Sequence, residues 1–385
     1  KATVSVICND LTAQGLIREI GRDRTGLGRP GTLLELDPLA RCAIGVEIST
    51  NFSAVVLTDL CGAPLWRIAA LTPAPSSRET LLTQAEALVA RGMDQARERG
   101  IPLLGIGVAV PGIVDPGPES LVTSSTMGWK ELPLKQLWET CFAVPVIVEN
   151  KARAAATVEA LSGSARDVDS FVYVVLGTDV GSTIQAALVN DGLTYRGAHG
   201  LAVDASHMIL DPDGPQCICG QRGCWRALTD VVREVELAQT RLAAGETSVL
   251  QARAGDDKAL DHREIHQAAM EGDPLAWEVV REVNLNHALG ITNLVRLFDP
   301  QMVVIGWASV ALSEEYHARM RALSARLDVA GTVRQYLARR QAAPPAIVEA
   351  AHGPDACMLG AAALLVDAFL RLPLAVVEFA PQSES

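Results

Sequence analysis

The chain opens with a short stretch of helical periodicity. Val4, Ile7 and Leu11 are apolar at helical spacing, and Gly15 follows as an end signal. Residues 16–36 then form two β-type runs separated by a loop rich in glycine and arginine. The pattern predicts a helix over 2–15 and a long-looped hairpin over 16–36.

From about residue 42 the pattern changes to two similar series of strands and helices. The first series has β-type runs over 43–68, a helical segment over 79–99, strands over 103–110 and 144–150, and an alanine-rich helix over 151–162. The second series begins with a strand, a glycine turn and a strand over 170–192, followed by helical stretches over 227–245 and 257–297. It continues with a strand over 301–306, a helical stretch over 312–340 and a final helix over 357–370. The repetition predicts a duplicated α/β architecture with a cleft between its halves. Since no low-complexity linker separates the halves, we expect the chain to cross between them more than once.

The composition is that of a globular protein with more than one domain. The chain has 385 residues, of which 49% are hydrophobic and 20% are charged. No apolar run reaches the roughly 18 residues of a membrane span and no leader is visible, so we expect a cytoplasmic protein without membrane contact. Five cysteines scattered singly suit a reducing compartment: Cys8, Cys42, Cys61, Cys141 and Cys357. The first residues resemble the middle of a motif, and we expect further chain before them.

The net charge of −12 is unevenly distributed. Residues 1–30 carry five cations against three acids, a net charge of +2, so the rest of the chain carries −14. An acidic body repels nucleic acid, and any contact with DNA is therefore confined to the first residues. A helix followed by a basic hairpin is typical of the second half of a winged helix-turn-helix, although the same pattern also occurs as an ordinary surface element.

Three of the eight cysteines lie within eight residues. Cys217, Cys219 and Cys224 follow His207 at an interval of ten residues. Three sulfurs and one imidazole can close a tetrahedron around a structural Zn²⁺ ion and leave no open position for water. Three unrelated thiols or a redox pair are the alternatives. We expect the zinc to hold a loop against the cleft.

Several motifs together resemble the ROK family (repressors, open reading frames and kinases). They are "GVAVPGIVDP" (107–116), "MGWKELPL" (127–134), "PVIVEN" (145–150), "LGTDVGSTI" (176–184) and "HMILDPDGPQCICGQRGCW" (207–225), which matches the family's zinc signature at every ligand position. The first helix with "GRPGTLLEL" (28–36) is similar to the family's repressor branch, which carries a winged helix-turn-helix that the sugar kinases lack.

The resemblance implies a fold and a domain organisation. The fold is a duplicated actin/hexokinase-like (ribonuclease H-like) α/β body with an interdomain cleft, preceded by a truncated winged helix-turn-helix. We expect the partial winged helix-turn-helix over 1–38 and a first α/β domain over 39–150, to which 355–385 returns. The second α/β domain, with the zinc loop, covers 151–354.

The resemblance also locates a sugar site. In the family's kinases an Asn-Asp pair, a Glu, the zinc-binding His and a second Glu hold the sugar, and the Asp is the general base. The matching positions here are Asn150, Lys151, Asp204, His207 and Arg226. A lysine is a protonated donor at pH 7 and cannot replace the base.

The family's phosphate-binding turns are also altered. The first turn, Asp-x-Gly-x-Thr in the family, is Glu47-Ile48-Ser49-Thr50-Asn51 here. The second, Gly-Thr-Gly-x-Gly, is Gly177-Thr178-Asp179-Val180-Gly181, and the double glycine on the adenosine side is Gly306-Trp307. Together these changes argue against phosphoryl transfer, so no catalytic residue is assigned.

The two new cations suggest two hypotheses for the cleft. Lys151 and Arg226 change the formal charge near the cleft by +4 relative to the kinase pattern. In one hypothesis the pocket, formed by Asn150, Lys151, Asp204, His207 and Arg226, takes an anionic effector such as a sugar phosphate or a sugar acid. In the other, internal pairs such as Asp204 with Arg226 or with Lys151 close it.

The resemblance makes residues 1–11 a DNA-recognition helix. Val4, Ile7 and Leu11 then face the domain core. The expected DNA contacts are Lys1, Thr3, Ser5 and Asn9 on the helix and Arg22, Arg24 and Arg29 on the wing. A homodimer, or a dimer of dimers, follows from the family and from operator symmetry.

The sequence therefore predicts a zinc-containing transcriptional regulator, most simply a repressor, of carbohydrate or secondary metabolism. It senses a sugar-like effector in the cleft and binds a double-stranded DNA operator. The alternatives are an ATP-dependent sugar kinase and a regulator that responds to a protein partner instead of a small molecule.

Overall fold

The computed structural model describes residues 2–23, 31–72, 76–115, 117, 120–177, 184–254, 260–308, 314–338 and 344–371. The helices are α1 (Ala2–Ala13), α2 (Arg78–Glu98), α3 (Leu134–Phe142), α4 (Lys151–Ser162), α5 (Trp225–Thr229), α6 (Val231–Ala243), α7 (Leu250–Ala254), α8 (His262–Glu271), α9 (Pro274–Phe298), α10 (Glu314–Leu327), α11 (Val329–Leu337) and α12 (Ala356–Arg371). The strands are β1 (Ile17–Asp23), β2 (Gly31–Leu36), β3 (Cys42–Ile48), β4 (Phe52–Asp59), β5 (Pro64–Leu71), β6 (Leu103–Val110), β7 (Ile113–Val114), β8 (Leu121–Ser124), β9 (Trp129–Leu132), β10 (Val146–Asn150), β11 (Phe171–Gly177), β12 (Gln185–Asn190), β13 (Leu193–Thr194), β14 (Met302–Ala308) and β15 (Ala346–Glu349).

Two five-stranded sheets of similar construction form the body. The first has the order β10-β6-β3-β4-β5, in which β3, β4 and β5 are antiparallel neighbours and β6 and β10 run parallel to β3. The second has the order β13-β12-β11-β14-β15, again with antiparallel strands on one side and parallel strands on the other. Every residue of β3 and β4 is buried, which explains their continuous apolar runs. The predicted duplicated α/β body is thereby confirmed.

Three predicted helical stretches are each divided by a capping aspartate. Asp230, Asp273 and Asp328 accept hydrogen bonds from the backbone N–H groups that start α6, α9 and α11. Such side chains satisfy donors that the first turn of a helix leaves unpaired. The divided stretches correspond to α5 with α6, α8 with α9, and α10 with α11.

Helices α4 and α12 pack closely against each other between the two sheets. Their apolar residues share one core with Phe52 of the first sheet and with Phe171 and Tyr173 of the second. A Cβ atom added at Gly360 would lie 1.8 Å from the carbonyl oxygen of Ala154. The backbones of the two helices approach this closely only because Gly360 has no side chain.

The N-terminal helix and hairpin pack on the end of α12. Leu11, Leu16 and Leu36 belong to one apolar cluster with Val366 and Phe369. Strand β1 pairs with β2 in an antiparallel hairpin, as predicted. The orientation predicted for α1 needs a correction, because Val4 is 63% exposed and Ile7 is 41% exposed, whereas Leu11 is partly buried.

Among the described residues, one helical segment is long and apolar enough by composition to cross a membrane. It covers 353–371, with a mean hydropathy of 1.5 over its most apolar window. This segment contains α12, which packs against α4, β3 and β6. Core burial accounts for the apolar composition, and the segment is only weak evidence for a membrane span.

The close approach of α4 and α12 predicts opposite outcomes for two helical glycines. We expect Gly360→Ala to lower the free energy of unfolding by about 2–3 kcal/mol, because the new methyl group forces the helices apart. In α2, a Cβ atom at Gly92 would make ordinary contacts at 3.4 Å with Ile44 and Val55. Gly92→Ala is therefore the control, with stability unchanged or raised by up to about 1 kcal/mol. Urea unfolding measures both, and equal effects would contradict the packing described.

Candidate functional site

A cavity of about 240 Å³ lies between the two halves of the body. On one side it is lined by Gly112, by residues 123–126 and by the start of α4. On the other side it is lined by residues 184–186, by residues 200–207 and by Cys219. Strands β7, β8 and β9 form a small sheet that the sequence analysis did not predict, and β8 supplies part of this wall.

Asn150 lines the cavity and also fixes the start of α4. Its Oδ1 accepts hydrogen bonds from the N–H groups of Ala152 at 2.9 Å and Arg153 at 3.4 Å. Its Nδ2 donates to the carbonyl oxygen of Gly112 at 2.9 Å. The side chain is an N-cap for α4 and joins the helix to Gly112 on the same side of the cavity.

Lys151 is buried away from the cavity and forms an ion pair. Its Nζ lies 2.5 Å from Oε1 of Glu47 and donates to Oγ of Ser49 at 3.0 Å. Both charged side chains are almost fully buried. Burial by itself lowers the pKa of Lys151, but the charge of Glu47 and its hydrogen bond outweigh this and raise the pKa above its usual value. The ammonium group is therefore protonated at every physiological pH.

Lys151 and Arg226 are each paired with an acid, as one hypothesis expected, but in the described part of the chain neither is paired with Asp204. Arg226 donates from Nη1 to Oγ1 of Thr126 at 2.9 Å, and its Nε lies 3.7 Å from the carboxylate of Asp230. Asp204 is exposed at the cavity, and its Oδ1 accepts a hydrogen bond from Ser206. The pairing of Asp204 with Arg226 or Lys151 is thus corrected. Lys151 and Arg226 also do not belong to the cavity lining, whereas the other three predicted effector residues do.

A charged group that the sequence analysis missed lies in the cavity wall. Arg153 is 4% exposed, and its Nε donates to Oε1 of Glu149 at 2.6 Å. Arg196 donates to Oε2 of the same carboxylate at 2.8 Å. The signal that could have found the first pair is the four-residue spacing between Glu149, near the end of β10, and Arg153, in the first turn of α4.

The predicted metal ligands converge on one point. Nδ1 of His207 and Sγ of Cys217 are 3.6 Å apart, as are Sγ of Cys219 and Sγ of Cys224, and the four atoms all lie within 4.8 Å of one another. Zinc bonds of about 2.1–2.3 Å place neighbouring corners of a tetrahedron about 3.6–3.8 Å apart, so the donor set fits that ion. The group can hold a metal ion.

The loop geometry and the thiol chemistry support this assignment. Gly223 has φ +64°, and a Cβ atom there would overlap the carbonyl oxygen of Asp211, so only glycine turns the chain back at this point. Burial raises the pKa of Cys224 to about 12, so binding of a cation by this thiol releases a proton at neutral pH. On the other face of His207, Nε2 lies 3.4 Å from Oγ of Ser125 in the cavity wall.

The N-terminal residues predicted to bind DNA are described only in part. Ser5, Asn9 and Arg22 are exposed on α1 and β1. Thr3 lies in α1, but its side chain is outside the described part of the chain. Lys1, Arg24 and Arg29 also lie outside the described residues, as do Thr178–Gly181 of the second phosphate turn and the side chain of Trp307.

Comparison with known proteins gives one family match and a consistent group of relatives. The ROK family model matches residues 43–368. The xylose repressor of Bacillus subtilis (strain 168) is 27% identical over 375 residues, which cover 97% of this chain and 89% of the repressor.

Two solved structures match the fold. A ROK family transcriptional regulator, a homologue of the Escherichia coli MLC protein, superposes with a TM-score of 0.75 at 22% identity and covers 95% of this chain and 88% of that one. A ROK family glucokinase from Streptomyces griseus, in complex with glucose and AMPPNP, gives a TM-score of 0.67 at 27% identity and covers 84% of this chain and 98% of the glucokinase. With the family model matching most of its length, the chain belongs to the ROK family.

Proposed function

We propose that this protein is a sugar-sensing transcriptional repressor that has lost the kinase activity of its fold. The observation that carries the proposal is the ion pair between Lys151 and Glu47. A general base must accept a proton from the substrate hydroxyl, and a buried ammonium group with a raised pKa cannot do so. The body therefore binds a ligand without transferring a phosphoryl group.

A regulator needs a physical connection between the ligand site and the DNA-binding element, and α4 and α12 supply it. Asn150 and Arg153 at the start of α4 line the cavity. Further along, α4 packs on α12 through the contact of Ala154 with Gly360. The end of α12 packs against the head, defined as α1, β1 and β2, through Phe369 and its neighbours. A ligand that favours one arrangement of the two halves thereby moves the head.

The head carries the expected operator contacts. These are Lys1, Thr3, Ser5 and Asn9 on the helix and Arg22, Arg24 and Arg29 on the wing. The net charge of −14 on residues 31–385 keeps DNA away from the body. Two heads in a homodimer, or more in a dimer of dimers, suit a palindromic operator, and such a regulator acts in the cytoplasm.

The metal in this proposal is a structural Zn²⁺ ion. His207, Cys217, Cys219 and Cys224 would hold it, and it would fix the loop and the orientation of His207 towards Ser125. Because protein ligands occupy all four coordination positions, no position is left for water or substrate, and the ion has no role in catalysis.

A sugar kinase is the second candidate. Asn150 in the cavity and the likeness to a glucokinase bound to glucose and AMPPNP favour it. Lys151 opposes it, because it occupies the family's base position and is already paired with Glu47.

DNA binding by the head is tested with two arginines of β1. An operator is first selected from a random DNA library and binding is then measured by fluorescence anisotropy. We expect Arg22→Gln to weaken binding and to lower the slope of log K against log salt by about 1, because one phosphate contact is lost. Arg18→Gln is the matched control with little effect, since Arg18 is already paired with Glu35 at 2.7 Å. Failure of the intact protein to select any DNA would contradict the proposed function.

Zinc binding is tested by metal analysis and thermal unfolding. We expect about one zinc ion per chain, with loss of the ion and a lower Tm in Cys219→Ser or after chelation, because a closed four-ligand site contributes to folding. Cys61→Ser is the control, since this exposed cysteine lies outside the cluster. Equal zinc content in both variants would contradict the assignment.

A further inference from the structure

Two buried polar atoms in residues of the cavity wall are left unsatisfied. Nη2 of Arg153 and Oε1 of Gln185 have no hydrogen-bond partner in the described part of the chain, and both residues line the cavity. Folded proteins contain few such atoms, and each one needs an explanation such as an ordered water or a ligand. Nη2 of Arg153 is a donor and Oε1 of Gln185 is an acceptor, so a ligand that carries both an acceptor and a donor group can satisfy the two atoms.

The charge around Arg153 favours an anion. Its Nε is bonded to Glu149 and its Nη1 donates to the carbonyl oxygen of Gly200 at 3.1 Å. Arg196 shares the same Glu149 carboxylate, so two guanidinium groups face one negative charge. Glu149 balances only one of these two guanidinium groups, while Asp204 lies elsewhere in the cavity lining, so a carboxylate at Nη2 gains a charge-assisted hydrogen bond that a neutral sugar lacks.

We propose that the effector is a sugar acid whose carboxylate binds Nη2 of Arg153 while a neighbouring hydroxyl donates to Gln185. This inference rests on the proposed function. A phosphate group fits less well, because its second negative charge adds to the repulsion by Asp204, which lines the same cavity. Arg153 is thus the cation that binds the anionic effector. Lys151 and Arg226, which were expected from the sequence to do so, have partners elsewhere.

Matched pairs of ligands test the assignment by isothermal titration calorimetry. The panel contains xylose with xylonate, glucose with gluconate and glucuronate, and glucose 6-phosphate. We expect at least one acid to bind the intact protein about 10- to 100-fold more tightly than its parent sugar, as a charged hydrogen bond requires. We expect Arg153→Gln to lower the affinity for the acid by far more than the affinity for the parent sugar, so that the preference is lost.

Two further variants keep the test independent of folding. Gln185→Glu has nearly the same shape and adds a negative charge, so it weakens binding of the acid more than binding of the parent sugar. Arg241→Gln removes an arginine that is paired with Glu282 outside the cavity and leaves both affinities unchanged. Thermal unfolding of each variant is measured in parallel, and Gln185→Glu decides the outcome if Arg153→Gln does not fold.

Three results overturn the inference: equal affinities for acid and parent sugar, preference for glucose 6-phosphate, or no binding of any ligand in the panel. Operator binding without ligand is measured on the same samples. Absence of operator binding by the intact protein contradicts the proposed function. Intact operator binding without preference for an acid contradicts only the assignment to Arg153.

Discussion

The contact between Nζ of Lys151 and Oε1 of Glu47 joins the first turn of α4 to β3 at a distance of 2.5 Å. Both side chains are nearly excluded from solvent, and the ring of Phe52 lies 5.6 Å from Nζ. Removing one partner of such a pair is destabilising by about 3–5 kcal/mol, because the other charge stays buried without compensation. Neither residue of the pair can therefore be substituted alone without a loss of stability. A change of Lys151 alone to the aspartate of the kinase pattern would place two carboxylates together in a buried site.

The first turn of α4 carries two cationic side chains that lie in different surroundings. Lys151 faces β3 and is neutralised by Glu47, whereas Arg153, two residues later, lines the cavity and shares Glu149 with Arg196. Asn150 caps the same turn and ties it to Gly112. A ligand bound beside this turn acts on a helix whose next turns pack on α12. That packing leaves no room for a Cβ atom at Gly360, so a shift of α4 relative to α12 disturbs a tightly packed contact.

Much of the fold and the metal cluster could be predicted from local patterns. The strand and helix order, the hairpin and the four metal ligands follow from periodicity, turn residues and ligand spacing, all of which are local properties of the sequence. The charge pairing could not be predicted in this way. Glu47 is far from Lys151 along the chain, and from the sequence alone Asp204 was an equally plausible partner for either cation. The exposure of Val4 and Ile7 likewise depends on which surfaces cover α1, and the periodicity of a helix does not identify its neighbours.

Lys151 at the base position is the feature that, in the proposed function, makes the cleft a binding site and not a catalytic one. The most direct test of this role is ADP release coupled to a spectrophotometric readout, with ATP, Mg²⁺ and a panel of hexoses and pentoses, and with the Streptomyces griseus glucokinase as positive control. The account predicts no turnover above the rate without protein for any sugar. Formation of a sugar phosphate by the protein with Lys151 intact would contradict it.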